Sequence, residues 1–330
     1  MAPDLNTEAI MAYAVAIIGL GIMGQRMAGH MARHADFTFA GGYDPSPAAA
    51  VAARDAVPGL TIEDDWQALI EHPKTDCVYI ACPPMWHSTY ARHAIAAGKP
   101  VFCEKPLGID LPDSRALADE FDSSGIANVV NFAQASCEAV RLTEERLRAG
   151  SLGDVVGAEI IVHFSAWPRD WQQQADWLRF REQGGFTREV LSHFVYVTTR
   201  LLGPLSLIDS IATFGEEPGT AETRIVAALS AGQIPVSVLG SAGGSGPDRV
   251  ELTVWGTANS VRLHDWYALK ATDAGAWKPL VPLSDAGRGA AIMDQLDQLA
   301  RWLAGEAHML PSARDALAVQ ELIEQMLAPS

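Results

Sequence analysis

The 330-residue chain sets 24 Lys and Arg against 40 Asp and Glu, a formal net charge of −16, and 48% of its residues are apolar. That charge argues against nucleic acid and anionic membrane surfaces as partners, and the apolar share over this length suffices for the cores of two domains. The four cysteines, Cys77, Cys82, Cys103 and Cys137, show no CxxC and no paired spacing, which reads as reduced thiols in a cytoplasmic protein.

Residues 1–12 lack a basic n-region, and the apolar run after them meets glycines before it could span a bilayer. Neither a signal peptide nor a transmembrane helix is expected. Residues 14–18, Ala-Val-Ala-Ile-Ile, are a short branched run without period-2 alternation, the pattern of a strand buried on both faces. Gly19-Leu20-Gly21-Ile22-Met23-Gly24 follows, then a helical pattern over 25–34, a strand-like run over 37–43, and Asp44, 20 residues beyond Gly24. Strand, Gly-x-Gly-x-x-Gly, helix, strand, acid is the full context of a dinucleotide site. Gly19 permits the tight turn, Gly21 lets backbone approach a pyrophosphate, and Gly24 lets the helix pack close on the strand. Unpaired N–H groups at the helix N-terminus, with Ile22 and Met23 among the residues there, would meet the phosphates. Asp44 would accept hydrogen bonds from a ribose diol and repel a 2′-phosphate. Because Pro45-Ser46-Pro47 supplies no cation, NAD is favoured over NADP. Without its flanks, the motif is equally a turn that merely joins strand to helix.

An alanine-rich helix over 48–56, a brief strand over 60–62 and a helix over 64–71 with an Asp start signal come next. Residues 77–81 read as another buried strand, ending in Cys82-Pro83-Pro84-Met85-Trp86-His87 before a helix over 88–97. The carboxyl end of such a strand is where doubly wound sheets bind ligands. The next strand, 101–103, terminates in Glu104-Lys105-Pro106. A lysine at that edge can hydrogen-bond ribose and a substrate hydroxyl, and its charge can stabilise a developing alkoxide. In isolation it would be read as a solvated lysine before a turn proline.

The ordered set Gly-Leu-Gly-Ile-Met-Gly at 19–24, Ala-Cys-Pro-Pro-Met-Trp-His at 81–87 and Ala-Gly-Lys-Pro-Val-Phe-Cys-Glu-Lys-Pro-Leu at 97–107 resembles the glucose–fructose oxidoreductase / inositol dehydrogenase / MocA (Gfo/Idh/MocA) family. The likeness covers most of the first domain and recurs at 148–153 and 184–203. It implies an α/β architecture: an NAD-binding Rossmann domain with a doubly wound parallel sheet over 1–134, and an α+β domain with a large, mostly antiparallel open sheet over 135–330. It also implies hydride chemistry, usually on sugars or polyols, with Glu104 and Lys105 beside the nicotinamide and Pro83 and His87 near the cofactor.

In the second half a helix is expected over 136–149, and period-2 alternation over 152–164, 223–229, 234–239 and 250–254 marks half-buried strands of a largely antiparallel sheet. The outward face mixes Glu159, Ser237, Glu251 and Thr253 with Val155, Ile161 and Leu239, which suits water or a partner subunit. The resemblance favours a homo-oligomer, a dimer or tetramer through this sheet. Residues 184–193, Gly-Gly-Phe-Thr-Arg-Glu-Val-Leu-Ser-His, resemble the family's third motif, an acid and a histidine four apart. On a helix that spacing puts Glu189 and His193 on one face, where a carboxylate could fix the tautomer of an imidazole able to move a hydroxyl proton. Spacing alone fits an ordinary surface pair.

Glu189 stands where the family usually has Asp, Leu191 where it has a small residue, and Tyr196 where it has Asp. The Arg common after the last Rossmann strand is absent, with Asn131 and Gln134 in its region, so the substrate pocket need not be that of the best-known members. Trp167-Pro-Arg169-Asp-Trp171 and Trp177 offer aromatic plates with guanidinium groups that suit a sugar ring or a carboxylated substrate, or a loop pinned to its own domain. Asn131, Gln134, Trp167, Arg169, Trp177 and Arg188 are the candidate substrate contacts. Strand-like runs over 263–270 and 278–283, an amphipathic helix over 290–304 and a last helix through 327 capped by Ser312 complete the chain. His264 and His308 read as ordinary hydrogen-bonding residues, and no cluster has metal spacing.

The expected protein is therefore an NAD-dependent oxidoreductase acting on a CH–OH or carbonyl group of a sugar, polyol or related small molecule. Lys105 would polarise the hydroxyl, His193 shuttle its proton and Glu189 steer His193. Two rivals remain: a hydrolase or eliminase that retains NAD through a redox cycle, and a regulator that senses dinucleotide and ligand without chemistry.

Overall fold

The computed structural model describes residues 12–173, 175–273, 275–284 and 287–328. The buried runs of the first half become β1 (Tyr13–Ile18), β2 (Phe37–Tyr43), β3 (Cys77–Ile80), β4 (Val101–Glu104) and β5 (Asn128–Asn131), a parallel sheet in the order β2-β1-β3-β4-β5. Every residue of β3 and β4 is buried, because helices α1 (Ile22–Met31), α2 (Pro47–Ala56), α3 (Trp66–Glu71), α4 (His87–Ala96) and α5 (Leu111–Ser124) cover both faces. Three start where the chain supplies a cap: Ser46 for α2, Asp65 for α3 and Asp110 for α5 each accept from a backbone N–H of the first turn. Residues 60–62 contribute only an isolated bridge, Gly42 to Ile62. β1 lies between β2 and β3, so the strand order reverses there and opens a crevice at the carboxyl ends.

Helix α6 (Glu138–Arg148) leads into a second sheet of β6 (Val155–Phe164), β7 (Leu205–Phe214), β8 (Glu222–Ala231), β9 (Ile234–Ala242), β10 (Arg249–Gly256), β11 (Val261–His264), β12 (Ala268–Asp273) and β13 (Ala276–Val281). Their order is β13-β12-β11-β10-β6-β9-β8-β7, antiparallel except for the parallel pair β6–β9. Alternation in β6 buries Ala158, Ile160, Val162 and Phe164 on the inner face, in one core with residues of α7 (Ser192–Leu202) and α9 (Ala313–Leu327). The run 263–270 is two strands, not one. A tight turn separates β11 from β12, with φ of +48° at Asp265 and +73° at Trp266, a left-handed conformation unusual for a bulky side chain.

After the second sheet the chain returns to the first domain. Helix α8 (Gly287–Leu303) puts Ile292, Leu296 and Leu299 into one core with Val15, Ile17 and Met27, and Val130 N–H of β5 donates to Pro311 O at 2.8 Å. The packing that surrounds the first sheet is thus completed by residues far beyond position 134. Among the described residues no helix is long and apolar enough to cross a membrane.

Candidate active site

The glycine turn between β1 and α1 is built without tolerance. Gly19 has φ +99°, and a Cβ there would lie 2.5 Å from Cys82 N; one on Gly24 would lie 2.0 Å from Gly19 O. At Gly21 the space is open, with nothing within 4 Å of where a Cβ would sit. Helix α1 begins after Gly21 with no side-chain cap and no acid in its first turn, so the N-terminal N–H groups at Ile22 and Met23 are left for an anion. Asp44 fastens this loop to the end of β2: one carboxylate oxygen accepts from Leu20 N–H and the other from Ser46 N–H, both at 2.8 Å. Each oxygen keeps acceptor capacity for a hydroxyl.

A cavity of about 380 Å³ opens beside this turn, and Gly21, Ile22, Met23, Pro83, Lys105, Glu189 and His193 all line it. Lys105, at the end of β4, is buried, and its Nζ donates to Glu189 O at 2.9 Å and to the Glu189 carboxylate. The second carboxylate oxygen of Glu189 accepts from Gln172 Nε2 at 3.3 Å. His193, near the start of α7, is buried and its Nδ1 has no hydrogen-bond partner among the described residues. Burial, reinforced by the charges of Lys105, Arg169 and Arg288, holds its pKa well below 6.5, so the ring is neutral.

Glu104 Oε1 accepts from Tyr79 Oη and from Asn131 Nδ2, each at 2.6 Å, and Asn131 Oδ1 accepts from Gln295 Nε2 at 2.6 Å. Burial pushes the Glu104 carboxyl up, against the pull of these donors and of Lys105. Among the described residues no group of His, Cys, Asp and Glu is placed to hold a metal.

Residues 13–132 match the model of an oxidoreductase family with an NAD-binding Rossmann fold. This segment belongs to the Gfo/Idh/MocA oxidoreductases. The levoglucosan dehydrogenase of Pseudarthrobacter phenanthrenivorans is 27% identical over 171 residues, 51% of this chain and 43% of that protein. An inositol 2-dehydrogenase of Pseudomonas syringae pv. syringae is 34% identical over 107 residues, 32% of each chain. The sequence match to the first of these thus covers about half of this chain and less than half of the relative. In three dimensions the likeness runs further: a levoglucosan dehydrogenase in complex with NADH and levoglucosan superposes with a TM-score of 0.83 at 19% identity, covering 96% of this chain and 98% of that one. Both domains therefore share that fold.

Several candidate residues stand differently from expectation. Glu189 does not reach His193; it lies in a π-helical segment, Thr187–Leu191, whose wider turn breaks the four-residue stacking, and its carboxylate goes to Lys105. His87 is fully buried and does not line the cavity. Its Nδ1 faces Pro106 O at 2.8 Å and its Nε2 faces Cys82 O at 3.0 Å, so it ties the Cys82–Pro83 loop to the loop after Lys105. Burial, the larger influence, lowers its pKa against the pull of those two carbonyls.

Trp167 Nε1–H donates to Leu178 O at 2.9 Å and its ring packs on Phe164 and Phe186, outside the cavity, so it pins its own loop. Arg188 also lies outside: it forms a bidentate pair with Glu324, at 2.6 and 2.7 Å, and donates to Arg181 O and Gly184 O. Asn131 lines the cavity, but both ends of its amide are engaged by Glu104 and Gln295. Gln134, Arg169 and Trp177 do line it, and the buried Gln134 Oε1 has no partner among the described residues while its Nε2 donates to Trp266 O at 2.7 Å.

The same cavity takes in Arg26, Trp171, Trp266, Tyr267, Arg288 and Gln295, none of which was singled out from the sequence. Trp171 sits inside the aromatic string 167–171. Arg26, two residues past Gly24, could have been flagged by its place on the cofactor helix. Trp266 and Tyr267 were hidden in an apparent strand, and Arg288 carried no local signal.

Proposed function

We propose that the protein is an NAD-dependent oxidoreductase that transfers hydride between NAD and a CH–OH or carbonyl carbon of a sugar, polyol or related small molecule. One observation carries this reading. Lys105 from the first domain and His193 from the second line a single cavity that also includes the glycine turn and Pro83. NAD, when bound there, supplies the hydride acceptor. Lys105 Nζ has three N–H donors, of which Glu189 takes two; the third is free for the substrate hydroxyl, whose developing negative charge the ammonium stabilises. A neutral His193 takes the hydroxyl proton as hydride leaves and returns it in the opposite direction. Glu189 acts on Lys105 rather than on His193, fixing where the ammonium points.

Lys105→Met should lower turnover on an oxidisable substrate by about 10²–10³-fold and His193→Ala by about 10²–10⁴-fold, while NAD still binds. Unchanged turnover in either variant removes that residue from the mechanism.

A homo-oligomeric, cytoplasmic state goes with this reading. Ile211, Val226, Leu239 and Ile161 stand opposite one another across β7, β8, β9 and β6. The ladder lies on the outward face, with Ile211 61% and Leu239 47% exposed, and suits a second copy of the sheet. The cysteines are all free, as a reducing compartment would keep them.

A further inference from the structure

Three guanidinium groups converge on one indole in the cavity. The Cζ atoms of Arg169, Arg26 and Arg288 lie 4.7, 5.1 and 5.6 Å from the centroid of Trp171. They arrive from different parts of the chain: Arg26 on α1, Arg169 in the loop after β6, and Arg288 at the start of α8. Arg169 also stands over Phe164, Trp167 and Trp266, at 5.0, 5.7 and 5.4 Å, and its Nε donates to Gln172 Oε1 at 2.9 Å, which leaves its two terminal nitrogens to face elsewhere.

The cavity's carboxylates make their hydrogen bonds to other groups and reach these charges only through space. Glu189 is held by Lys105 and Gln172, and Glu104 by Tyr79 and Asn131. Among the described residues no ion pair includes Arg26, Arg169 or Arg288. Like charges so placed oppose one another: Arg169 is pushed down to about 10 by burial first, with Arg288 and Arg26 adding to it against the pull of Glu189 and Asp248. In a chain of net charge −16, three cations that form no ion pair among the described residues of a half-buried pocket are costly unless the ligand brings the anion. The hydroxyls of a neutral polyol cannot do so. Nor does the cofactor's pyrophosphate account for all three, since the uncapped start of α1 already offers it backbone donors, and Arg169 and Trp171 belong to the loop following β6.

We infer that the substrate is an acid: a sugar or polyol derivative whose carboxylate or phosphate group is gripped by Arg26, Arg169 and Arg288 around the face of Trp171, while its carbinol lies toward Lys105 and His193. This rests on the hydride-transfer reading for the carbinol alone; the anion grip stands on the cation cluster.

The test is calorimetric titration of the NAD-saturated protein with hexonates, hexuronates and hexose phosphates, set against neutral hexoses and inositols. At least one acid should bind about 10–100-fold more tightly than the neutral compound of the same carbon skeleton, as expected for charge-assisted hydrogen bonds. Whether carboxylates or phosphates lead tells the two sources apart. Arg288→Met and Arg169→Met should each lose about tenfold or more of that affinity and Arg288→Lys should recover part of it, while NAD affinity stays within about threefold. Neutral compounds binding as tightly as every acid would overturn the inference. So would arginine variants that weaken NAD as much as the acid, since the cluster would then serve the pyrophosphate. An acid that binds as described yet never reduces NAD leaves the grip standing and removes the hydride reading; NAD reduction by neutral polyols alone does the reverse.

Discussion

Lys105→Met keeps the length of the side chain and removes its charge, and the structure says what each consequence should be. Two of the three Nζ donors go to Glu189, one to its carbonyl at 2.9 Å and one to its carboxylate. The loss of the third, aimed at the alkoxide, should cost about 2.7–4 kcal/mol of transition-state stabilisation, or about 10²–10³-fold in kcat. The same change strands the Glu189 carboxylate, whose side chain is 21% exposed and keeps Gln172 Nε2 at 3.3 Å. Water reaches it in part, so the stability loss should be about 1–3 kcal/mol, below the roughly 3–5 kcal/mol of a fully buried pair. The double variant Lys105→Met, Glu189→Gln removes both charges and should regain most of that stability without regaining turnover. Thermal melting and initial rates of NAD reduction on the three proteins separate the two effects. A double variant with wild-type turnover would refute the reasoning, because the ammonium would then have served only to balance Glu189.

Four further outcomes follow from the same geometry. Because burial and then Lys105, Arg169 and Arg288 hold the His193 pKa below 6.5, kcat/KM for oxidation should be flat near pH 7 and fall only below 6.5. Arg169→Met should move that limb upward, and a limb centred above 6.5 in the wild type would contradict a neutral base. The unfolded imidazole binds its proton near 6.5 and the folded one at lower pH, so His193's contribution to stability is present above 6.5 and lost as pH falls; chemical denaturation at pH 7 and pH 5 should show it. Asp44→Ser with Pro45→Arg should turn cofactor preference toward NADP, and unchanged cofactor constants would refute the ribose assignment. Ile211→Arg with Leu239→Glu, on the outward sheet face, should yield monomers in sedimentation while the thermal midpoint of the fold moves little; an unaltered mass would place the interface elsewhere.

Much of the first domain was legible because its signals are local. The glycine turn, the buried runs and the capping residues each act within a few positions of themselves, and Gly19, Gly24 and Asp44 stand in the structure where their spacing put them. What escaped depends on contacts distant in sequence. α5, with Asp110 as its cap, and β7, whose apolar residues alternate in exposure, were not marked out. The strand read over 263–270 hid a turn that only the packing of Trp266 against His193 and Phe194 makes visible. The pairing of Glu189 with His193 assumed α-helical periodicity, and one π-helical turn redirected the carboxylate to a lysine 84 residues away. The arginine cluster could not be seen at all, since Arg26, Arg169 and Arg288 meet only when both domains and the returning helix α8 are in place.

A crystal structure of the protein soaked with NAD tests the central claim most directly. The nicotinamide ring should lie against Pro83, with its C4 face turned into the cavity between Lys105 Nζ and the His193 ring. A nicotinamide seated outside that cavity, with Lys105 and His193 facing no part of it, would contradict the account.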